Sequence, residues 1–469
     1  MLMVTHPPGY TAEREYALRL VLGELLSLSY TSVVVPGDSV TISVPGDTSG
    51  RRVRVTDGLF RTAPAAWLTA ASLPTSPVPW IRVPDFLSGE RAYAEEVPVL
   101  YGPQGRAAAL RRQDHEIVMD LDVFGGSFFS ATRYEEIVLS ATDRHGRFPA
   151  TASLAYREGF LDLPVVNMYA ELLWACLRWL WPTLERPRRT YKVVVTHDVD
   201  RPFCVVGRPA RRVIRDIGAD VKRGDFALAW SRTRSAVMTR SRAAPSDPCY
   251  ATFDFLMDQS ERLNCTSAFF FIAGDPSHPL DPSYSIEDAA IRRLIARIAS
   301  RGHEIGLHAR YDSYLSPQPI REDFERLQHV AAEAGVQQDA WGGRQHYLRW
   351  RNPDTWQAWE DASLQYDSTV GFADHVGFRG GVCCEYPVFN LRRGTPLALR
   401  ERPLVAMDAT LCGYMGLGVD RAIECVRELA ATCRSYSGEL CILAHNDRFL
   451  SSSARRAYVE ALAAIGAGG

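Results

Sequence analysis

Lys192-Val193-Val194-Val195-Thr196 holds four β-branched residues in succession and leads directly into His197-Asp198-Val199-Asp200. Three valines and a threonine in succession suit a strand buried on both faces, as in a parallel sheet covered by helices. Polar residues at the exit of such a strand stand where α/β proteins carry their chemistry. The pattern predicts a strand over 192–196 with His197, Asp198 and Asp200 at its end.

Downstream, strand and helix patterns alternate. Ala268-Phe269-Phe270-Phe271-Ile272 is a second apolar run. A helix is predicted over 285–301, with Ser285 and Asp288 at capping-box spacing, Ile291, Leu294, Ile295 and Ile298 facing inward, and Gly302 as its stop. A short strand follows over 303–307 and a helix over 320–334, closed by Gly335. Asn352-Pro353 supplies a cap and a preset first turn for another helix. Leu404 to Ala406 reads as a strand, 419–433 as a helix and Leu440-Cys441-Ile442-Leu443 as a last strand. Repeated β-then-α units imply a largely parallel sheet, either open or closed into a barrel.

Upstream, Leu18, Leu20, Leu22, Leu25 and Leu26 suggest a helix over 16–30, and 31–55 alternates β-branched residues with turns. Tyr169, Leu172, Leu173, Cys176, Leu177 and Leu180 place a further helix over 164–180. Pro182 and Arg186-Pro187-Arg188-Arg189 then form a charged, proline-bearing break. A chain of 469 residues exceeds the roughly 250–300 at which one core stops growing. The expectation is two domains, 1–187 and 188–469, the first a smaller α/β unit.

The 53 basic and 55 acidic residues give a net charge of −2, which supplies no overall field toward nucleic acid or anionic lipid. A small-molecule or glycan partner fits better; oligomeric state is left open. The ten cysteines form no C-x-x-C pair and read as buried thiols in a reducing compartment. No basic-then-apolar leader opens the sequence, and no run approaches the roughly 20 apolar residues of a membrane span, so a cytoplasmic location is expected.

The predicted strand ends carry His197, Asp198 and Asp200, then His308 and Asp312, Arg344 and His346, Tyr366 and Asp367, and His445-Asn446-Asp447. Carboxylates and imidazoles together serve both a divalent metal and an acid/base pair. Bland readings compete: an aspartate after a strand often caps a turn, and His346 lies beside Tyr347, Leu348 and Trp350 in what reads as a packed segment. Trp356 and Trp359, at i, i+3, fit core packing. His197 and His303 read as structural.

Thr196-His197-Asp198-Val199-Asp200, Gly302-His303-Glu304-Ile305-Gly306-Leu307-His308 and Leu443-Ala444-His445 resemble, in order, three motifs of the polysaccharide deacetylase (NodB-homology, carbohydrate esterase) family. The resemblance implies a distorted (β/α) barrel of about seven strands and a hydrolase that removes an acyl group from an amino sugar with help from one divalent metal, expected to be zinc. Asp198 matches the catalytic base, His445 the general acid and His308 a metal-binding histidine. Two departures stand out: Val199 replaces the usual metal-binding aspartate, and Asp312 the usual second histidine. A bacterial branch of the family is closer, matching Asp198-Val199-Asp200, His308-Ala309-Arg310-Tyr311-Asp312-Ser313 and Arg344-Gln345-His346. It implies Asp200, His308 and His346 as the ligand set, with Asp312 as the alternative third ligand. Arg344 is expected to orient the base, and Arg379, Tyr366 and Asp367 to contact substrate. Val97 to Gly102, Phe128 to Glu136 and His145 to Ala150 are similar to a domain of unknown function that precedes the deacetylase domain in that branch. Hydrolysis of a non-sugar amide, or a degenerate glycan-binding scaffold, are the alternative functions.

Overall fold

The computed structural model describes residues 1–90, 95–103, 105, 107–238 and 246–466. Strands β1 (Leu2–His6), β2 (Tyr30–Val34), β3 (Ser39–Ser43) and β4 (Arg52–Thr56) are followed by β5 (Trp80–Arg82), β6 (Glu96–Pro98), β7 (Leu110–Gln113) and β8 (Glu116–Met119). Six of them form a mixed sheet ordered β2-β1-β3-β4-β8-β7, while β5 and β6 pair as an antiparallel ribbon. The first helix differs from expectation. It begins at Thr11, widens to π geometry over Arg19–Leu25 and is finished before Ser27, whose φ of 54° is left-handed. Helix Val165–Leu180 follows the leucine spacing and buries Leu172, Leu173, Cys176 and Leu177.

The carboxy-terminal region contains β9 (Lys192–Val199), β10 (Ser267–Phe271), β11 (Glu304–Ala309), β12 (Gly342–Gln345), β13 (Tyr366–Asp367), β14 (Tyr386–Asn390), β15 (Thr395–Glu401), β16 (Ala406–Met407) and β17 (Glu439–Leu443). They form one nine-stranded sheet, β14-β15-β13-β12-β11-β10-β9-β17-β16, parallel except for the β14–β15 hairpin. About seven strands were expected; the antiparallel β14–β15 hairpin accounts for the excess of two. Both sheets share one continuous apolar core.

The nine-stranded sheet is curled into a half-barrel. Strands β13 and β17 are five positions apart in the sheet, which laid flat would separate them by about 24 Å. Instead Ser368 Oγ, at the end of β13, lies 3.8 Å from Cys441 Sγ on β17. The interior is narrow enough to demand glycine. A Cβ on Gly343 would sit 1.8 Å from the Leu307 carbonyl oxygen, and one on Gly306 2.6 Å from both the Gly342 oxygen and the Phe270 ring.

Two expected caps are not formed. The helix at Ala289–Ser300 starts after Asp288, and Ser285 Oγ instead bonds Glu287. Asn352 donates both amide hydrogens upstream, to the carbonyls of Thr132 and Arg133 at 2.7 Å each, so it ties the two regions together rather than capping Asp354–Asp361.

Candidate active site

Parallel pairing puts the carboxyl ends of β9, β11, β12, β16 and β17 on one rim, and the site is built there. It opens into a cavity of about 450 Å3. Asp200, just past β9, His308 near the end of β11 and His346 just past β12 bring one donor atom each to within 4.8 Å of one another. Asp200 Oδ1 lies 3.4 Å from His308 Nε2 and 3.7 Å from His346 Nε2.

The imidazoles are held from behind. His308 Nδ1 bonds the Arg344 carbonyl at 2.9 Å, and His346 Nδ1 bonds Asp281 at 3.1 Å, so both Nε2 atoms face Asp200. Asp281 is fixed in turn by the backbone N–H groups of Tyr311, Ser277 and His278. Burial opposes its charge, but His346 and those donors hold its carboxyl well below the usual range. The cluster fits a divalent cation. Asp200 Oδ1 is buried with no hydrogen-bond partner, and a tetrahedral ion with bonds of roughly 2.1 Å spaces its donors about 3.4 Å apart. Burial also opposes charge on Asp200, yet His308, His346 and His445 keep it ionised.

Asp198 and His445 flank this cluster. Asp198 Oδ1 accepts from Arg344 Nη1 at 2.8 Å, while Oδ2 lies 3.7 Å from His308 Nε2. Arg344 is fully buried and crosses the barrel: Nη1 also bonds Thr196 Oγ1, and Nε and Nη2 bond the carbonyl and hydroxyl of Ser368. His445 Nδ1 lies 2.6 Å from Asp408, and its Nε2 lies 3.9 Å from Asp200 Oδ2. Asp408 also accepts the His445 backbone N–H. Burial works against a charged ring, but Asp408, with Asp200 and Asp198 beyond, outweighs it and raises His445 to about 10. The ring therefore presents a protonated Nε2 to the cavity.

Six of the ten candidate residues thus meet at one place: Asp198, Asp200, His308, Arg344, His346 and His445. Asp312 does not; it is exposed and pairs with Arg349 at 2.8 Å. Three expected substrate contacts also lie elsewhere. Arg379 is 2% exposed, chelates Glu136 and packs over Trp350 and Phe372, so its fork is consumed inside the protein. Tyr366 is buried against Phe270, covered by Arg402, with its hydroxyl on Glu304. Asp367 is buried and bonded to Thr369, and burial pushes its carboxyl up to about 7. His197 is structural: Nδ1 bonds the Ala444 carbonyl at 2.7 Å, and burial pulls its pKa down to about 4.

Sequence reasoning missed Asp408, Asp281 and Arg147. Asp408 is the first acid after the strand-like run at 404–406, a signal of the kind that found Asp198. Asp281 sits in an irregular loop with no such signal. Arg147 comes from the amino-terminal region yet lines the cavity, donating to the Tyr347 carbonyl and the Tyr414 hydroxyl.

Residues 2–182 match a family of unknown function, DUF7033. No curated protein matches the chain. Among solved structures, one assigned as a polysaccharide deacetylase from Mycobacterium smegmatis is 19% identical, covering 61% of this chain and 87% of its own, with a TM-score of 0.38. Another so assigned, from Pseudomonas aeruginosa PAO1, is 14% identical over 59% of this chain and 87% of its own, at 0.35. PuuE allantoinase is 12% identical over 58% and 85%, at 0.34. Likeness at this level assigns no activity, and the functional reading stands on the geometry.

Proposed function

We propose that this chain is a metal-dependent hydrolase that cleaves the amide of an N-acylated, most simply N-acetylated, amino sugar, on a NodB-like barrel. The observation that carries the reading is the Asp200–His308–His346 cluster, flanked by an arginine-held carboxylate on one side and an aspartate-held imidazole on the other. A divalent ion, for which zinc suits the two imidazoles and one carboxylate, would polarise the acyl carbonyl and acidify water. The chain's own groups do the proton work. Asp198, fixed by Arg344, accepts a proton from the attacking water. His445, locked by Asp408 with its Nε2 proton toward the cavity, donates to the departing nitrogen, which leaves as the neutral amine. One group must be ionised and the other protonated, and Asp408 holds His445 in the protonated state.

The test joins elemental analysis of purified protein to acetate release from a panel of N-acetylated sugars. Asp198→Asn should keep metal and fold and lose at least about 100-fold in kcat, the low end for a proton-transfer residue. Near-wild-type turnover by that variant would remove Asp198 from the mechanism.

A further inference from the structure

We infer that the substrate is anionic, an acylated amino sugar carrying a carboxylate or a phosphate, and that Arg448 reads this charge. The inference rests on the hydrolase reading above and adds the substrate class. Among the described residues around the cavity, most charges sit in close pairs. Asp198 has Arg344 at 2.8 Å, and His445 has Asp408 at 2.6 Å. Arg147 is held by Asp143 at 2.6 Å, and Arg201 faces Asp447 at 3.4 Å. Asp200 faces His308 and His346, and Arg448 remains. A divalent cation at Asp200 more than balances its single negative charge, so the loaded wall carries a positive excess.

Arg448, exposed and reached by Asp408 and Asp447 only through longer-range attraction, is the least engaged part of that excess. It lines the cavity from the turn Asn446–Arg448, three residues beyond His445, and its guanidinium makes no hydrogen bond or ion pair among the described residues. The turn itself is not loose. Asn446 Nδ2 donates to the Arg201 carbonyl at 2.9 Å, and Arg448 N–H to the His445 carbonyl at 3.2 Å. A cation on a fixed turn beside the proton donor, with its fork unused, is built to receive a planar or tetrahedral anion. Arg147 plays a different part. Its charge is matched by Asp143, and its remaining bonds position Tyr347 and Tyr414, so it shapes the cavity without reading the anion.

Calorimetric binding to metal-loaded Asp198→Asn protein tests this with three probes: N-acetylglucosamine, its 6-phosphate, and N-acetylmuramic acid, which carries a carboxylate. At least one anionic sugar should bind on the order of tenfold tighter than the neutral one, as one charge-assisted contact allows. The preference should shrink with added salt, and adding Arg448→Gln should bring the anionic-to-neutral ratio to about one. Which anionic sugar leads identifies the anion. Equal binding of all three, binding of neither anionic sugar, or an unchanged ratio in the Arg448→Gln protein overturns the proposal. Acetate release by the wild-type protein from the same compounds is scored separately. Its absence throughout would remove the hydrolase reading, while the binding ratio still decides the role of Arg448.

Discussion

Asp408 illustrates how one unseen carboxylate sets the behaviour of a visible histidine. Its charge opposes the desolvation of His445, so Asp408→Asn should let burial act unopposed and lower the His445 pKa. The alkaline limb of the kcat/KM profile should then move to lower pH by roughly one to three units; an unmoved limb would mean that His445 is not the titrating acid. The ligand set is tested by elemental analysis: His308→Ala, Asp200→Ala and His346→Ala should each lose most bound metal, whereas Asp312→Ala should retain it. Retention by all three cluster variants would place the ion elsewhere. Much of this site was legible because strand exits announce themselves: an apolar run followed by Asp or His located Asp198, His308 and His445, while Arg344 and His346 stood in a motif-like triplet. Arg379, Tyr366 and Asp367 misled for the complementary reason. Their residue types suit a substrate contact equally well, and only the ion pair with Glu136 or the bond to Glu304 reveals that they are already engaged.

At the scale of the element, β12 is the most constrained piece. Gly342 and Gly343 bring Arg344 into the barrel where the Tyr366 ring and the Leu307 backbone leave no space for a side chain. Gly343→Ala should therefore cost more than about 4 kcal/mol, beyond the ordinary range for a point change, and should appear as loss of soluble protein or of a urea transition. A variant of near-normal stability would show that β12 can move away from β11. The long elements were readable because their periodicity is long, as in Val165–Leu180 and Val419–Ser435. The two-residue strand β13 has no period to read, and the cap expected at Asn352 failed because that side chain is engaged by a carbonyl pair more than 200 residues upstream. Local sequence signals cannot report such partners.

For the whole molecule, the two regions are joined by buried contacts. Tyr16 packs on Phe389 with ring centroids 5.2 Å apart and donates to the Pro387 carbonyl, while Glu136 is shared by Arg133 and Arg379. Removing one partner from such a buried pair costs about 3–5 kcal/mol. The chain should accordingly melt in a single calorimetric transition, and residues 188–469 alone should not reach the native state; two resolved transitions would contradict this. The sheet order carries a further consequence, for the timing of synthesis. Strand β9 lies between β10 and β17, and β17 begins 240 residues after β9 ends, at Glu439 against Val199. At about 5–20 residues per second, a ribosome needs roughly 12–48 s to cover that interval. During it the nascent chain holds Asp198 on a strand with one bare edge, open to pairing with another chain, and the acid that answers it has yet to be made.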